Sequence, residues 1–344
     1  MKKFYILTLS TLIALPTFAI DYEKLENQSF TAYTTSPASS GDGSSAASDT
    51  NPYGEEKIPF LAALTEIPAT SMRGLEMSFS KKSIPWWAGI VGSTLILLNN
   101  DEVILENWQR EGRAAGWGNE DKTKAVLSMG EIDLLRLPTD FSSFMYFLGD
   151  GWMNAGIAGG FLLNGHFNDN VRAYNTGVRI AHGMAVSTIF NQILKRSFGR
   201  ESPYVKTEPF GKWSPFPSLA EYQARTAYYD AMPSGHVMTS TLVFTIINDA
   251  YPEYSNYVIP LEVLWISALS YQMVNNGVHW VSDYPLGIAM GYVFGKASSE
   301  MGKKKPTTTV RNANAPPETS WMILPFSRGN ESGAIEGLAW IYKY

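Results

Sequence analysis

Apolar positions recur at helical spacing along most of the chain from Ile58 to about Lys303, broken by small residues rather than by strand-like alternation. The pattern predicts helices centred on residues 85–99, 101–115, 142–164, 171–197, 219–229, 236–250, 257–275 and 280–299. No run of period-two alternation appears among them and no repeat is visible, so the expected fold is all-α, a helical bundle over residues 58–303. Ile84 to Asn100, Gly151 to Asn168 and Val263 to Val278 contain no Asp, Glu, Lys or Arg. A bilayer span needs about 20 predominantly apolar residues, and these runs carry Gly, Ser, Asn or Thr within fewer, so burial inside protein is the expectation.

The flanks have a different texture. Met1-Lys2-Lys3, the apolar run Phe4 to Leu15 and the small-residue end Thr17-Phe18-Ala19 have the layout of a cleavable signal peptide over 1–19, which implies export, most simply to the periplasm. Residues 31–54 are almost entirely Ser, Thr, Ala, Gly, Pro and Asp, which bury too little apolar surface to offset ordering entropy; a flexible linker is expected over 20–57. Beyond Lys303 lies a C-terminal extension, 304–344. In it WMILPF and GLAWIYKY flank the turn-like SRGNES, and Leu338, Trp340, Tyr342 and Tyr344 alternate with smaller or polar residues, which predicts a β-hairpin.

Composition removes several chemistries. The 344 residues include no cysteine, which excludes disulfides, thiolate nucleophiles, zinc-cysteine clusters and iron-sulfur ligation. Lys plus Arg number 27 against 32 Asp plus Glu, a formal charge of -5, so there is no basic excess to neutralise a nucleic-acid backbone and no nucleic-acid partner is expected.

With only four histidines, each is weighed separately. His279 lies in GVHWVSDYPLG with Asp283 four residues on; on a helix that spacing stacks the carboxylate beside the imidazole, fixing its tautomer and stabilising its cation. A neutral, oriented imidazole is a competent nucleophile toward phosphorus. His236 lies in AMPSGHVMTSTLVF, where Ser234 is placed as an N-cap and Gly235 lets the backbone approach an anion; His236 at that edge would protonate a leaving oxygen. LKRSFGRESPY, residues 194–204, ends an apolar helix with Lys195, Arg196 and Arg200, cations that either offset the helix dipole or hold an anion. His166, in NGHFNDN, and His182, on an apolar helix, read as surface or satisfied core residues, and Trp86, Trp87, Trp108 and Trp117 as core packing in preference to an interfacial surface or a lipid-chain pocket.

The order of cations, then PSGH, then HxxxD, separated by long apolar helices, resembles the type 2 phosphatidic acid phosphatase superfamily, which includes acid phosphatases, lipid phosphatases and vanadium haloperoxidases. The family pattern is K-x6-R-P, P-S-G-H and S-R-x5-H-x3-D, and the resemblance spans roughly residues 80 to 300. It implies a bundle of that family's kind and a metal-independent phosphatase without cofactor. The implied substrates are phosphate esters, lipid phosphates and lipid pyrophosphates among them, with association at a membrane surface. Carried over by position, His279 is the nucleophile, Asp283 its partner and His236 the general acid. Lys195 and the Ser234-Gly235 backbone hold phosphate oxygens.

Two family arginines are replaced, by Ser202 and by Met273, with Gln272 in place of the preceding serine. Losing one preorganised donor from such a site costs about 100- to 1,000-fold in rate. If residues 200–202 are extended, Arg200 shares a face with Ser202 and would fill the vacant phosphate-binding place; if they are helical, it points elsewhere. The alternative to a phosphatase is a degenerate member that binds an anion or lipid or serves as an envelope scaffold.

Overall fold

The computed structural model of the chain describes residues 56–130, 132–303, 321–330 and 333–342; the expected leader and the expected linker up to residue 55 lie outside them. In chain order come α1 (Ala62–Thr65), α2 (Ile67–Ser78), α3 (Ile84–Leu98), α4 (Asp101–Ala114), the strands β1 (Thr123–Met129) and β2 (Ile132–Pro138), then α5 (Phe141–Phe147), α6 (Gly151–Phe167) and α7 (Val171–Phe198). They continue with α8 (Leu219–Ala224), α9 (Gly235–Ala250), α10 (Ser255–Asn275) and α11 (Tyr284–Ser299), then β3 (Trp321–Asn330) and β4 (Gly333–Tyr342). Helices make up most of the described residues, as the apolar spacing predicts, and their bounds follow local chemistry. Asp140, Asp150 and Asn170 cap α5, α6 and α7, accepting from the N–H groups of Ser143, Trp152 and Ala173 at 2.8, 2.7 and 3.0 Å. The Asp150 cap is why the stretch 142–164 breaks in two.

The centre of the bundle is α9 against α11, with α7, α10 and α6 around α9. Gly287, Gly291 and Gly295 recur at i, i+4 and i+8 along α11 and face α9. A Cβ on Gly291 would stand 2.4 Å from the Met238 carbonyl oxygen, and one on Gly287 2.8 Å from that of Ser234. The two backbones therefore approach more closely than any side chain would allow. Apolar side chains seal them on both sides, Leu269, Met273, Trp280 and Tyr284 in one cluster and Met238, Leu242, Ile246 and Phe294 in another.

Three expectations need correction. Residues 123–138 form an antiparallel hairpin inside the helical region, Thr123 opposite Pro138 and Met129 opposite Ile132. Register shifts between Ala125 and Ser128 break its alternation, and a period-two search passes over it. Second, His279 does not lie on an α-helix: a 3-10 turn at Val281–Asp283 precedes α11. Third, the uncharged segments are not buried all round. α3 exposes Ile84, Trp86, Val91, Leu95 and Ile96, and α6 exposes Trp152, Leu163 and Phe167, whereas Trp108 is buried. Among the described residues, Pro252–Asn275 is long and apolar enough to cross a membrane, and α3 with α4 passes that test only as a pair bent by 66°.

Contacts divide the chain after Lys303. In the C-terminal unit β3 and β4 pair antiparallel, Trp321 opposite Tyr342 and Asn330 opposite Gly333, the hairpin the alternation predicts.

Candidate active site

The ends of α7, α9 and α10, helix α5 and the segments 119–121, 202–204, 226–230 and 278–279 converge on a cavity of about 410 Å3 whose walls include Lys195, Ser202, Tyr204, Asp230, His236 and His279. Lys195 comes from the last turn of α7. That helix stops at Gly199, which takes the left-handed conformation (φ 58°); a Cβ there would sit 1.9 Å from the Ser214 carbonyl oxygen. The chain then runs extended, and the motif stretches are stitched together behind the cavity. The N–H of Ser202 donates to Ala227, that of Tyr204 to Gly277, and the Trp280 indole to Glu201, at 2.9, 2.9 and 2.8 Å.

Ser234 caps α9, its backbone N–H donating to the Asp283 carbonyl at 3.2 Å, which joins the PSGH stretch directly to the HxxxD stretch. His236, on the first turn of α9, is half-buried. Its ring stands 5.9 Å from that of His279 and 5.2 Å from that of Tyr146, centroid to centroid. Gly149 makes this fit possible, since a Cβ there would lie 2.7 Å from His236 Cβ. Burial, then the neighbouring His279 and Lys195, push the His236 imidazolium down to about 3 from 6.5, so the ring is neutral at neutral pH.

His279 is 2% exposed and follows Gly277, which has φ 71°. Its Nδ1 faces Asp283 Oδ2 at 3.5 Å, leaving Nε2 as the nitrogen for the cavity. The Trp280 N–H donates to the same oxygen at 2.8 Å, so the four-residue spacing works through a capped 3-10 turn rather than a helix face. Burial alone would raise the Asp283 carboxyl, but Arg200, with His279 and the Trp280 N–H, holds it below the usual carboxylate range.

Arg200 requires a correction. The segment is extended, yet the guanidinium turns away from the cavity and is 0% exposed. It donates to Asp283 Oδ1 at 2.6 Å, Ser282 Oγ at 2.7 Å, Asp101 Oδ2 at 2.8 Å and the Phe210 carbonyl at 2.9 Å. With its donors engaged by protein oxygens it does not take the place of the arginine missing at Ser202. Met273 is 0% exposed in the apolar core, and Gln272 donates to the Gly118 carbonyl and to Asn276 instead. Ser234 is fully buried and Gly235 sits against Asn191, and neither is among the residues lining the cavity.

The sequence reading missed the acidic side of the cavity. Asp230 accepts from Lys195 Nζ, through its carbonyl at 2.6 Å and its carboxylate at 3.3 Å, and Asp121 lines the rim with Asn119 and Asn276. Asp121 is raised by burial and by the nearby Asp150. The other two histidines are as expected: His182 is buried between the Ala63 carbonyl (2.7 Å) and Thr70 Oγ1 (2.9 Å), and His166 lies exposed beside Phe167. No group of three or more metal-ligating side chains occurs among the described residues.

Two imidazoles and an ammonium around one cavity, held by a glycine-packed helical core, form a site suited to a tetrahedral oxyanion. The family model described as the PAP2 superfamily matches residues 176–306, the stretch that carries Lys195, PSGH and HxxxD, and the resemblance read from the sequence holds over these residues. Phosphate-ester chemistry is the general activity of that superfamily. No curated protein and no solved structure matches the chain.

Proposed function

We propose that the protein is an exported, metal-independent phosphatase acting on phosphomonoesters through a phosphohistidine. The supporting observation is the shared cavity of Lys195, His236 and His279, with Asp283 behind the nucleophile. The His279 Nε2 lone pair attacks phosphorus in line as the bond to the alcohol oxygen breaks, and His236 gives that oxygen its proton. Water then attacks the phosphohistidine, losing its proton to His236, and the P–N bond breaks to release phosphate. His236 must be cationic for the first step although its burial and neighbours favour the neutral ring; the charge of a bound phosphate supplies the compensation.

Exposed apolar residues on α3 and α6, with Lys81 and Lys82 just before α3, support work at a membrane surface on lipid phosphates or pyrophosphates. The leader-like first nineteen residues support a periplasmic location. A degenerate, anion-binding or scaffold role is favoured by one observation: Lys195, a main phosphate-binding cation carried over by position, is tied to Asp230. Hydrolysis of a generic phosphomonoester and of a lipid phosphate by the purified protein, beside His279→Ala and His236→Ala, tests the proposal. Turnover by the native chain that is lost in His279→Ala supports it, and turnover undiminished in that variant rejects it.

A further inference from the structure

Behind His279, on the side away from the cavity, lies a second charged group that the reaction itself does not touch. Arg200 is clamped between Asp101 and Asp283, and all three side chains are fully buried. Asp101 is the first residue of α4, where the helix N-terminus favours a carboxylate. It also accepts from the backbone N–H of Ser282 at 3.1 Å and from the Ser282 hydroxyl. A buried arginine needs one counter-charge, and here it has two; burial, with Asp283 nearby, pushes the Asp101 carboxyl up to about 6 against the pull of Arg200, and above that pH both carboxylates are ionised and the cluster retains one uncompensated negative charge. The group next to that charge is His279, whose Nδ1 faces Asp283 Oδ2.

The reaction makes one positive charge at this place. When Nε2 forms its bond to phosphorus, the ring retains the proton on Nδ1 and becomes cationic until the phosphoryl group leaves. A rigid anion in a dry environment stabilises such a charge far better than water-exposed groups do, because its own reorganisation is already complete. Arg200 contributes orientation: with Oδ1 of Asp283 taken by the guanidinium and Oδ2 accepting from Trp280, the carboxylate is fixed in the plane that presents Oδ2 to the imidazole.

We infer that Asp101 and Arg200 are positioning residues of the nucleophile: Arg200 fixes the Asp283 carboxylate toward His279, and Asp101 supplies the second negative charge that balances the cationic ring. The inference rests on His279 being the nucleophile. It gives Arg200 a function other than phosphate binding and assigns one to Asp101, which lies outside the matched stretch of the chain.

Asp101→Asn is nearly isosteric and keeps an acceptor for the Ser282 N–H. In the folded variant kcat falls about tenfold or more while KM changes less than about twofold, and Asp101→Glu recovers part of the loss. A second measurement does not need phosphatase activity. When Nε2 attacks diethyl pyrocarbonate and expels ethyl carbonate, the His279 ring carries the same positive charge in the transition state, before the Nδ1 proton is lost, and peptide mass spectrometry reads the rate of carbethoxylation. That rate falls by a similar factor in Asp101→Asn, while the rate at exposed His166 stays the same. If Asp101→Asn does not fold, Arg200→Lys, which retains the cation but loses the fork, gives the same two readouts. Unchanged kcat and unchanged His279 carbethoxylation in a folded variant overturn the inference. A native protein inactive on every phosphate ester removes the phosphatase reading, and the carbethoxylation rates then decide the positioning role alone.

Discussion

Lys195 Nζ lies 2.6 Å from the carbonyl oxygen of Asp230 and 3.3 Å from its carboxylate, so the lysine that lines the cavity with the two imidazoles is held by an aspartate of the same cavity. An incoming phosphate must compete with that carboxylate.

Asp230→Asn leaves the carbonyl contact and removes the competing charge. Inorganic phosphate is then expected to inhibit or bind roughly tenfold more tightly, about the effect of one charge at this distance on a partly shielded pair. Isothermal titration of native and variant protein with phosphate checks it. Equal affinity would mean that Lys195 takes no part in phosphate binding, and Lys195→Ala should then be silent as well.

The two replaced arginines differ in what restoring them would do. Ser202 lines the cavity, so Ser202→Arg places a guanidinium where phosphate oxygens arrive, and kcat is expected to rise by as much as about 100-fold. Met273 is buried among Leu269, Trp280 and Tyr284, and Met273→Arg puts a charge with no partner into that core. That variant is expected to lose several kcal/mol of stability, seen as a lower thermal midpoint, with no gain in rate. A rate gain from Met273→Arg, or none from Ser202→Arg, would contradict this division.

Why the sequence shows some of this and not the rest follows from the range of the interactions. Helices with continuous apolar spacing, such as α7 and α9, are legible because their burial repeats every turn. The PSGH and HxxxD stretches are legible as motifs, although the helical spacing inferred for His279 and Asp283 is realised by the Trp280–Asp283 turn. The kind of charge at Arg200 is visible but its direction is not. It turns toward Asp101, 99 positions earlier, and nothing local marks that partner. Asp121 and Asp230 come from segments outside regular helices that meet only once the bundle has formed; the one available signal was an acidic residue three positions before Pro233.

Glu262 is buried on α10, and burial pushes its carboxyl up to about 8 from 4.5. The folded state therefore binds a proton that the unfolded chain releases. The associated stability is complete below pH 4.5 and is lost progressively as the pH rises through the folded value near 8. Glu262→Gln cannot ionise and is expected to be more stable than the native protein by a few kcal/mol at pH 9 and little different at pH 4. Chemical denaturation at the two pH values measures it, and identical curves at pH 9 would refute the argument.

His236 shifts the opposite way. Its imidazolium is pushed down to about 3, so the folded state binds fewer protons than the unfolded chain, and stability from this group is lost as the pH falls below 6.5. His236→Gln is therefore expected to resist acid unfolding better than the native chain between about pH 6 and pH 3. The same low value makes anion binding a proton-coupled event. A phosphate beside the ring offsets the cost of charging it in a buried place beside Lys195, raises the imidazolium and draws a proton from solvent. Calorimetric titration with phosphate in two buffers of different ionisation enthalpy reads that proton directly. Native protein is expected to take up more protons per phosphate than His236→Gln at pH 6, and its phosphate affinity to fall more steeply as the pH rises. Phosphate's own titration is common to both proteins and cancels in the comparison. Equal uptake by the two would show that the His236 ring does not become cationic beside a bound phosphate, and it could not then be the acid that protonates the departing alcohol.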